Sequence, residues 1–228
     1  MDNKIQPLLP ELFTKSEIVI LDFREIPPSL PEYKNIKIFF ENCYKNGIDP
    51  KLAENRQIFN NNFLEKANKR YLIGRYLEDR IEMLRGSVME TEGRTIHQGI
   101  DIFSKDLEIM SAPCDVEVVK TGREKCKHGF GYYIILKPDP KITKNYIFIG
   151  HLSKDLPKLG KYSSGQEITK MGDYINDENG GWSRHIHVQL LSDLPANNSI
   201  PWGYSTKQNL NQTMIEYPDS SFLLKMVF

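Results

Sequence analysis

The chain has 228 residues, 39% of them hydrophobic, and its 30 basic and 30 acidic side chains cancel to a formal net charge of zero. That length and apolar content supply one sizeable core, as one large domain or as one domain with an extension. The balanced charge, with no long single-sign block, lacks the electrostatic footprint of a nucleic-acid or membrane-surface binder.

Residues 1–30 read as an extended lead-in in which Glu17-Ile-Val-Ile-Leu-Asp-Phe23 has strand composition and Pro27, Pro28 and Pro31 interrupt any regular element. From Pro31 to Lys45 the apolar residues recur at helical spacing, with Gly47 as the stop. Asn60-Asn61-Asn62 reads as a loop or a helix start. Phe63 to Leu84 then reads as helical, with a stripe through Leu64, Ala67, Tyr71, Leu72, Tyr76, Leu77, Ile81 and Leu84. Within it Gly74 weakens the helix by up to ~1 kcal/mol relative to Ala, so the stretch reads as one helix with a close contact there or as two helices, and Glu78-Asp79-Arg80 is expected as surface charge.

The composition changes near Gly86. Beyond Gly93, β-branched and aromatic runs alternate with turns: Val116–Lys120, Tyr132–Leu136, Tyr146–Ile149, Gln166–Lys170 and His185–Leu191. The predicted fold class is therefore α+β, a mainly antiparallel β-sheet or sandwich core with a helical N-terminal extension. The expected division is a partly helical extension over 1–85, a domain over 86–195 and a tail over 196–228, whose apolar end Phe222–Phe228 docks on the domain. The extension would act either as a cap over a cleft or as a structural brace.

Three cysteines, Cys43, Cys114 and Cys126, form an odd set without a C-x-x-C, which argues against a disulfide framework. Cys126 and His128 lie in Lys125-Cys-Lys-His-Gly129, read as a solvated loop. The first ten residues lack the basic start and apolar run of a secretory signal. No segment approaches the ~18 apolar residues of a membrane span. The expected location is the cytoplasm, with export by a signal-independent route as the other option.

Chemistry concentrates in His97-Gln98-Gly99-Ile100-Asp101 and His185-Ile186-His187, with His151 between them; four of the five histidines are used. Imidazole nitrogen and carboxylate oxygen are zinc ligands, and a catalytic zinc takes three of them and leaves a position for water. Gly99 lets the backbone bend so that His97 and Asp101 point at one ion. On a strand, His185 and His187 share a face while Ile186 and Val188 face the core. No H-E-x-x-H occurs, so the helix-borne protease pattern is absent. The glycine-rich loop Asn176–Gly181 delivers the chain into the His185 strand, and Trp182 either walls a cleft or packs.

On these residues, and on Ser111–Val118, Gly131–Leu136, Gly150-His-Leu-Ser153 and Gly165–Gly172 in the same order, residues 93–191 resemble the M23 (LytM/lysostaphin-type) zinc metallopeptidase domain. Ile73–Arg80, Arg94–Asp101 and Asn179–His187 are also similar to the M23 modules of some large bacterial polypeptides, which stand beside kinase-like and class III aminotransferase-like parts. The resemblance implies His97, Asp101 and His187 as Zn²⁺ ligands, and His151 and His185 as catalytic histidines that orient water, accept its proton and stabilise the oxyanion. Tyr133 or another cleft tyrosine would add a hydrogen bond. The implied activity is metallo-endopeptidase cleavage of an amide bond in a peptide or muropeptide, usually a peptidoglycan cross-link or a glycine-rich peptide. Two other classes stand beside it. One is a binding or regulatory module of the same fold without turnover. The other is a histidine phosphocarrier using His151 with His185 or His187.

Overall fold

The computed structural model describes residues 8–9, 18–21, 36–196 and 199–224. An eight-stranded sheet runs through it: β1 (Ile18–Leu21), β2 (Tyr71–Gly74), β4 (Ile100–Ser104), β11 (His185–Leu191), β8 (Tyr146–Leu152), β7 (Tyr132–Pro138), β6 (Val116–Arg123) and β9 (Gly160–Tyr162), in that spatial order. β1 and β2 are parallel and the other neighbours antiparallel. Two short antiparallel pairs flank it: β5 (Ile109–Ser111) with β10 (Glu167–Lys170), and β3 (Arg94–His97) with β12 (Tyr204–Thr206). The architecture is α+β and mainly antiparallel, and the runs read as strands beyond residue 93 fall on β6, β7, β8, β10 and β11.

Alternation along the strands separates two faces. One carries Ile100, Ile102, Ile134, Ile147, Ile149, Ile186 and Val188 into the main core, together with Met110, Leu223 and Leu224. Each such aliphatic side chain contributes ~1.5–3 kcal/mol by its burial. The opposite face carries Leu72, Asp101, Phe103, Phe148, His185 and His187. Part of it is covered by α1 (Ile36–Lys45) and α2 (Ala53–Ala67) through Phe40, Phe59, Phe63 and Leu64.

The stretch Phe63–Leu84 is helical only at its two ends, up to Ala67 and again over Ile81–Leu84, and not over Tyr71–Gly74. α2 begins at Ala53 and takes in Asn60–Asn62, and the chain stops being helical at Asn68, a left-handed cap with φ 51°. The amides of Asn68 and Lys69 donate back to Glu65 and Leu64 carbonyls, closing the helix end. Tyr71–Gly74, buried throughout, then forms a central strand, because the sheet is covered on both sides and needs no polar alternation there. Gly74 thus ends a strand, opposite Asp101, rather than weakening a helix. Two short helices follow, α3 (Ile81–Leu84) and α4 (Val88–Thr91).

The strand expected over residues 17–23 is β1, four residues long, and the helix expected from residue 31 is described from Ile36; the rest of both stretches lies outside the described residues. The sheet is continuous across the expected boundary at residue 85, since β1 and β2 extend it beyond β4. At the other end, β12 and α5 (Leu210–Glu216) precede Leu223 and Leu224, which are 0% and 2% exposed. Residues 225–228 lie outside the description. No helix of the described residues is long and apolar enough to cross a membrane.

Candidate metal centre

Strand pairing places the central residues. His187 on β11 is registered against Asp101 on β4, so two side chains on the same face of adjacent antiparallel strands point at the same space. The His187 Nδ1 to Asp101 Oδ1 distance is 3.0 Å. β3 delivers His97, whose Nε2 lies 3.0 Å from His187 Nδ1 and 3.4 Å from Asp101 Oδ1. Among the described residues this is the group with metal-ligand chemistry, and all three members are buried. Bonds of ~2.0–2.2 Å to a tetrahedral zinc place two ligand atoms about 3.3 Å apart, so the donor set and its spacing fit a zinc ion.

The remaining nitrogens reinforce the fit. His97 Nδ1 faces the Arg75 carbonyl at 3.2 Å and His187 Nε2 faces Gln189 Oε1 at 2.9 Å. Oxygen only accepts in those pairs, so the histidine nitrogen must donate, which leaves the lone pairs of His97 Nε2 and His187 Nδ1 turned inward. A fixed tautomer of this kind is what a metal-binding histidine needs. Gln189 in turn donates to the Trp202 carbonyl at 3.1 Å. Burial, reinforced by the Arg80 charge, pushes His97 down to about 3, so its ring is neutral and free to bind.

Gly99 serves differently from its expected role. Its backbone is not in the left-handed region; a β-carbon there would lie 2.6 Å from both His187 Cε1 and the Val188 carbonyl oxygen. Glycine is needed because the His187 ring packs on the backbone.

His151 and His185 stand beside this group, their ring centroids 4.2 Å apart. His185 Nδ1 donates to the Ser183 carbonyl at 2.7 Å and His151 Nδ1 to the Asn179 carbonyl at 2.9 Å. Each Nε2 is thereby left as an acceptor, and that of His185 is 4.0 Å from Asp101 Oδ1. Burial holds His185 down to about 4 and His151 well below the usual range. His151 adopts φ 63°, a backbone state that costs a non-glycine residue ~1–3 kcal/mol. Its N–H to the Phe130 carbonyl (2.7 Å) and its own carbonyl to the Gly172 N–H (2.9 Å) hold it there. Phe103 stacks on His185 at 4.7 Å.

Glu78-Asp79-Arg80 is not surface charge on a helix. The segment runs beside β3, with Leu77 and Arg80 amides donating to His97 and Thr95 carbonyls and the His97 amide to Glu78. Glu78 and Arg80 are 3% and 2% exposed. Arg80 bonds Asp101 Oδ2 at 2.5 Å and Glu78 Oε1 at 2.6 Å, and its Nη1 lies 3.3 Å from the Tyr204 hydroxyl. Arg80 occupies the outer oxygen of Asp101 and leaves Oδ1 to the two histidines. Burial would raise Asp101, but His97, Arg80 and His185 outweigh it and hold the carboxyl well below the usual range. Burial carries Glu78 the other way, up to about 7, against the pull of Arg80. Asp79 alone reaches the surface, paired with Lys207 at 2.7 Å.

Tyr133 does not reach the centre. It stacks on Phe148 at 5.4 Å within a separate apolar cluster, whereas Tyr204, registered against His97, lines the cleft 5.6 Å from that ring. Trp182 also lines the cleft, at 6.5 Å from both His151 and His185. Its carbonyl and amide are held by the buried Asn179 side chain. Cys126 is exposed on the cleft rim, and His128 packs on Trp182 at 4.8 Å. Gln189 was missed from sequence, although it continues the two-residue spacing of His185 and His187. Arg80 and Tyr204 carried no local signal.

No family model and no curated protein matches the chain. Among solved structures, it is similar to the catalytic domain of the antimicrobial peptidase lysostaphin from Staphylococcus simulans (21% identity, TM-score 0.37), over 52% of this chain and 80% of that one. It is similar to a zinc-containing peptidase from Vibrio cholerae (21%, TM-score 0.35), over 44% of this chain and 32% of that one. It is also similar to Helicobacter pylori Csd3 (20%, TM-score 0.32), over 52% of this chain and 31% of that one. The chain thus spans about a third of the length of the last two.

Proposed function

We propose that the chain is a zinc-dependent hydrolase of the M23 metallopeptidase type that cleaves an amide bond in a peptide. The observation that carries this reading is the inward-facing triad of His97 Nε2, His187 Nδ1 and Asp101 Oδ1 within 3.4 Å of one another, each atom oriented by a second bond elsewhere. These three side chains would hold the ion. A zinc ion held there would supply Lewis acidity, lowering the pKa of a bound water towards ~7 and polarising a substrate carbonyl.

The chain's own groups supply the rest. His151 and His185 are neutral and anchored through Nδ1, so each Nε2 can accept the proton of the attacking water and later donate it to the leaving amine. Protonated, either ring also stabilises the negative oxygen of the tetrahedral state. Arg80 keeps Asp101 ionised and fixed. Phe103 and Phe130 pack on the histidine rings and exclude water around them. A phosphocarrier role fits less well, because Asp101 Oδ1 lies 4.0 Å from His185 Nε2 and would repel a phosphoryl group there.

The test is metal content of the purified chain by mass spectrometry, then zinc affinity and peptide cleavage for four variants. His97→Ala and Asp101→Ala should lose zinc. His151→Ala and His185→Ala should keep zinc and lose turnover. Absence of stoichiometric zinc, or equal zinc loss in all four, rejects the proposal.

A further inference from the structure

The walls of the cleft lie outside the metal centre and carry their own information. The cavity above the triad encloses about 590 Å³, within the ~300–1,000 Å³ range of sites that bury most of a compact ligand. Its walls are mainly apolar and come from separate stretches of chain. α1 gives Phe40, α3 gives Met83 and Leu84, and α4 gives Val88. Trp182 and Trp202 line it as well. Of the lining side chains, Val88 and Trp202 are 63% and 60% exposed, and the Arg94 guanidinium lies 4.3 Å from the Trp202 ring centroid. Exposed apolar side chains that line one cavity are surface that a bound ligand can cover. Methionine among these walls adds an adaptable lining that fits branched and aromatic groups alike.

We infer that the substrate carries bulky apolar side chains, of the leucine or phenylalanine class, beside the bond to be cut. The inference deepens the metallopeptidase reading and rests on it for what happens to that bond. A glycine-only peptide offers the walls no surface to cover and leaves them wet, whereas an apolar side chain removes both surfaces from water. Discrimination of ~10–200-fold is available from one methylene in an apolar pocket, so several side-chain carbons give at least ~10-fold.

Both tryptophans of the chain, Trp182 and Trp202, line this cleft, so intrinsic fluorescence reports its occupancy without a label. The experiment titrates the full chain, zinc-loaded and EDTA-treated, with two blocked peptides of equal length, one all glycine and one with Phe-Leu at its centre. The expected result is a fluorescence change and at least ~10-fold tighter binding of the Phe-Leu peptide in both forms. Val88→Asp and Trp202→Ala, at exposed positions, should shrink that preference towards one while circular dichroism stays unchanged. Equal binding of the two peptides, or a preference untouched by both variants, overturns the inference. Cleavage of each peptide by the zinc-loaded chain is scored separately. A binding preference without cleavage of either peptide counts against the metallopeptidase reading and leaves the apolar specificity standing. Equal binding and equal cleavage of both peptides does the reverse.

Discussion

Replacing Arg80 by methionine separates what the buried ion cluster does for the fold from what it does for the metal. Arg80 faces Asp101 and Glu78 at 2.5 Å each, with all three side chains 2–3% exposed. Charge centres ~4 Å apart at an effective dielectric constant of ~20 attract by about 4 kcal/mol per pair. Mutual repulsion of the two carboxylates and the desolvation of the guanidinium offset part of this. What remains on removing one partner of a buried pair is a loss of ~3–5 kcal/mol, mainly an uncompensated carboxylate. Glu78, already pushed up to about 7 by burial, escapes by taking a proton, so the uncompensated charge is that of Asp101. In EDTA, urea unfolding of Arg80→Met should therefore show a midpoint lowered by about 1.5 M, taking a slope of ~2–3 kcal/mol per M. Saturating zinc supplies positive charge beside Asp101, so the loss should be smaller there. Arg80→Lys should not restore stability, because one ammonium cannot reproduce a planar fork bonded to two carboxylates. A loss under ~1 kcal/mol in EDTA, or an identical loss with and without zinc, would refute the reasoning.

Gly99→Ala drives a methyl group into the His187 ring at 2.6 Å; overpacking of ~1–3 kcal/mol is expected, together with weaker zinc binding, and wild-type values for both would contradict the close-contact role. Gln189→Leu strands the donor on His187 Nε2 and should lower zinc affinity ~10–100-fold in competition with a chelator of known affinity; unchanged affinity would show that the tautomer is set elsewhere. For the thiols, burial raises Cys114 to about 11 and leaves it 4% exposed, whereas Cys126 is exposed. An aromatic disulfide reagent at pH 8 should therefore modify Cys126 in the native protein and Cys114 only after denaturation, and early labelling of Cys114 would mean that the main core opens readily.

In the sheet β6, β7, β8 and β11 were legible in sequence because they are seven or eight residues long, rich in β-branched and aromatic residues and bounded by turns. The site was legible for a related reason. His185 and His187 occupy alternate positions of such a strand, and the register of that strand against β4 carries His187 to Asp101. The stretch from Phe63 to Leu84 misled because its apolar residues fall at spacings that a helix and a short buried strand share. Tyr71–Gly74 has no polar alternation to reveal a strand, and the stop is Asn68 in a left-handed state rather than a glycine or proline. Once a helix is assumed there, Glu78 and Arg80 fall on its solvated side. Their burial depends on the backbone pairing of residues 77–80 with β3, a contact across about twenty residues of sequence that no local pattern encodes. Tyr204 is hidden in the same way, since β12 meets β3 across more than a hundred residues.

Tying strands together and walling the cleft fall on different residues of the helices that precede β3. Gln57 of α2 accepts the Arg184 amide at 2.6 Å and donates to the Ser104 carbonyl at 3.1 Å, tying the starts of β11 and the end of β4 to one side chain. Asn60, fully buried, donates to the Ser183 hydroxyl at 3.3 Å. Ser183 also supplies the carbonyl that orients His185. A helix packed for its apolar face thus fixes, through two amide side chains, the strand that carries two of the histidines. The shorter helices α3 and α4 make no such bonds to β11 among the described residues; their Met83, Leu84 and Val88 face the cleft instead. Changes at Gln57 or Asn60 should therefore disturb the geometry of His185 and His187 for every substrate alike. Changes at Val88 should alter which substrate is accepted and leave the metal centre as it is. That separation follows from hydrogen bonds on one side and bare apolar walls on the other.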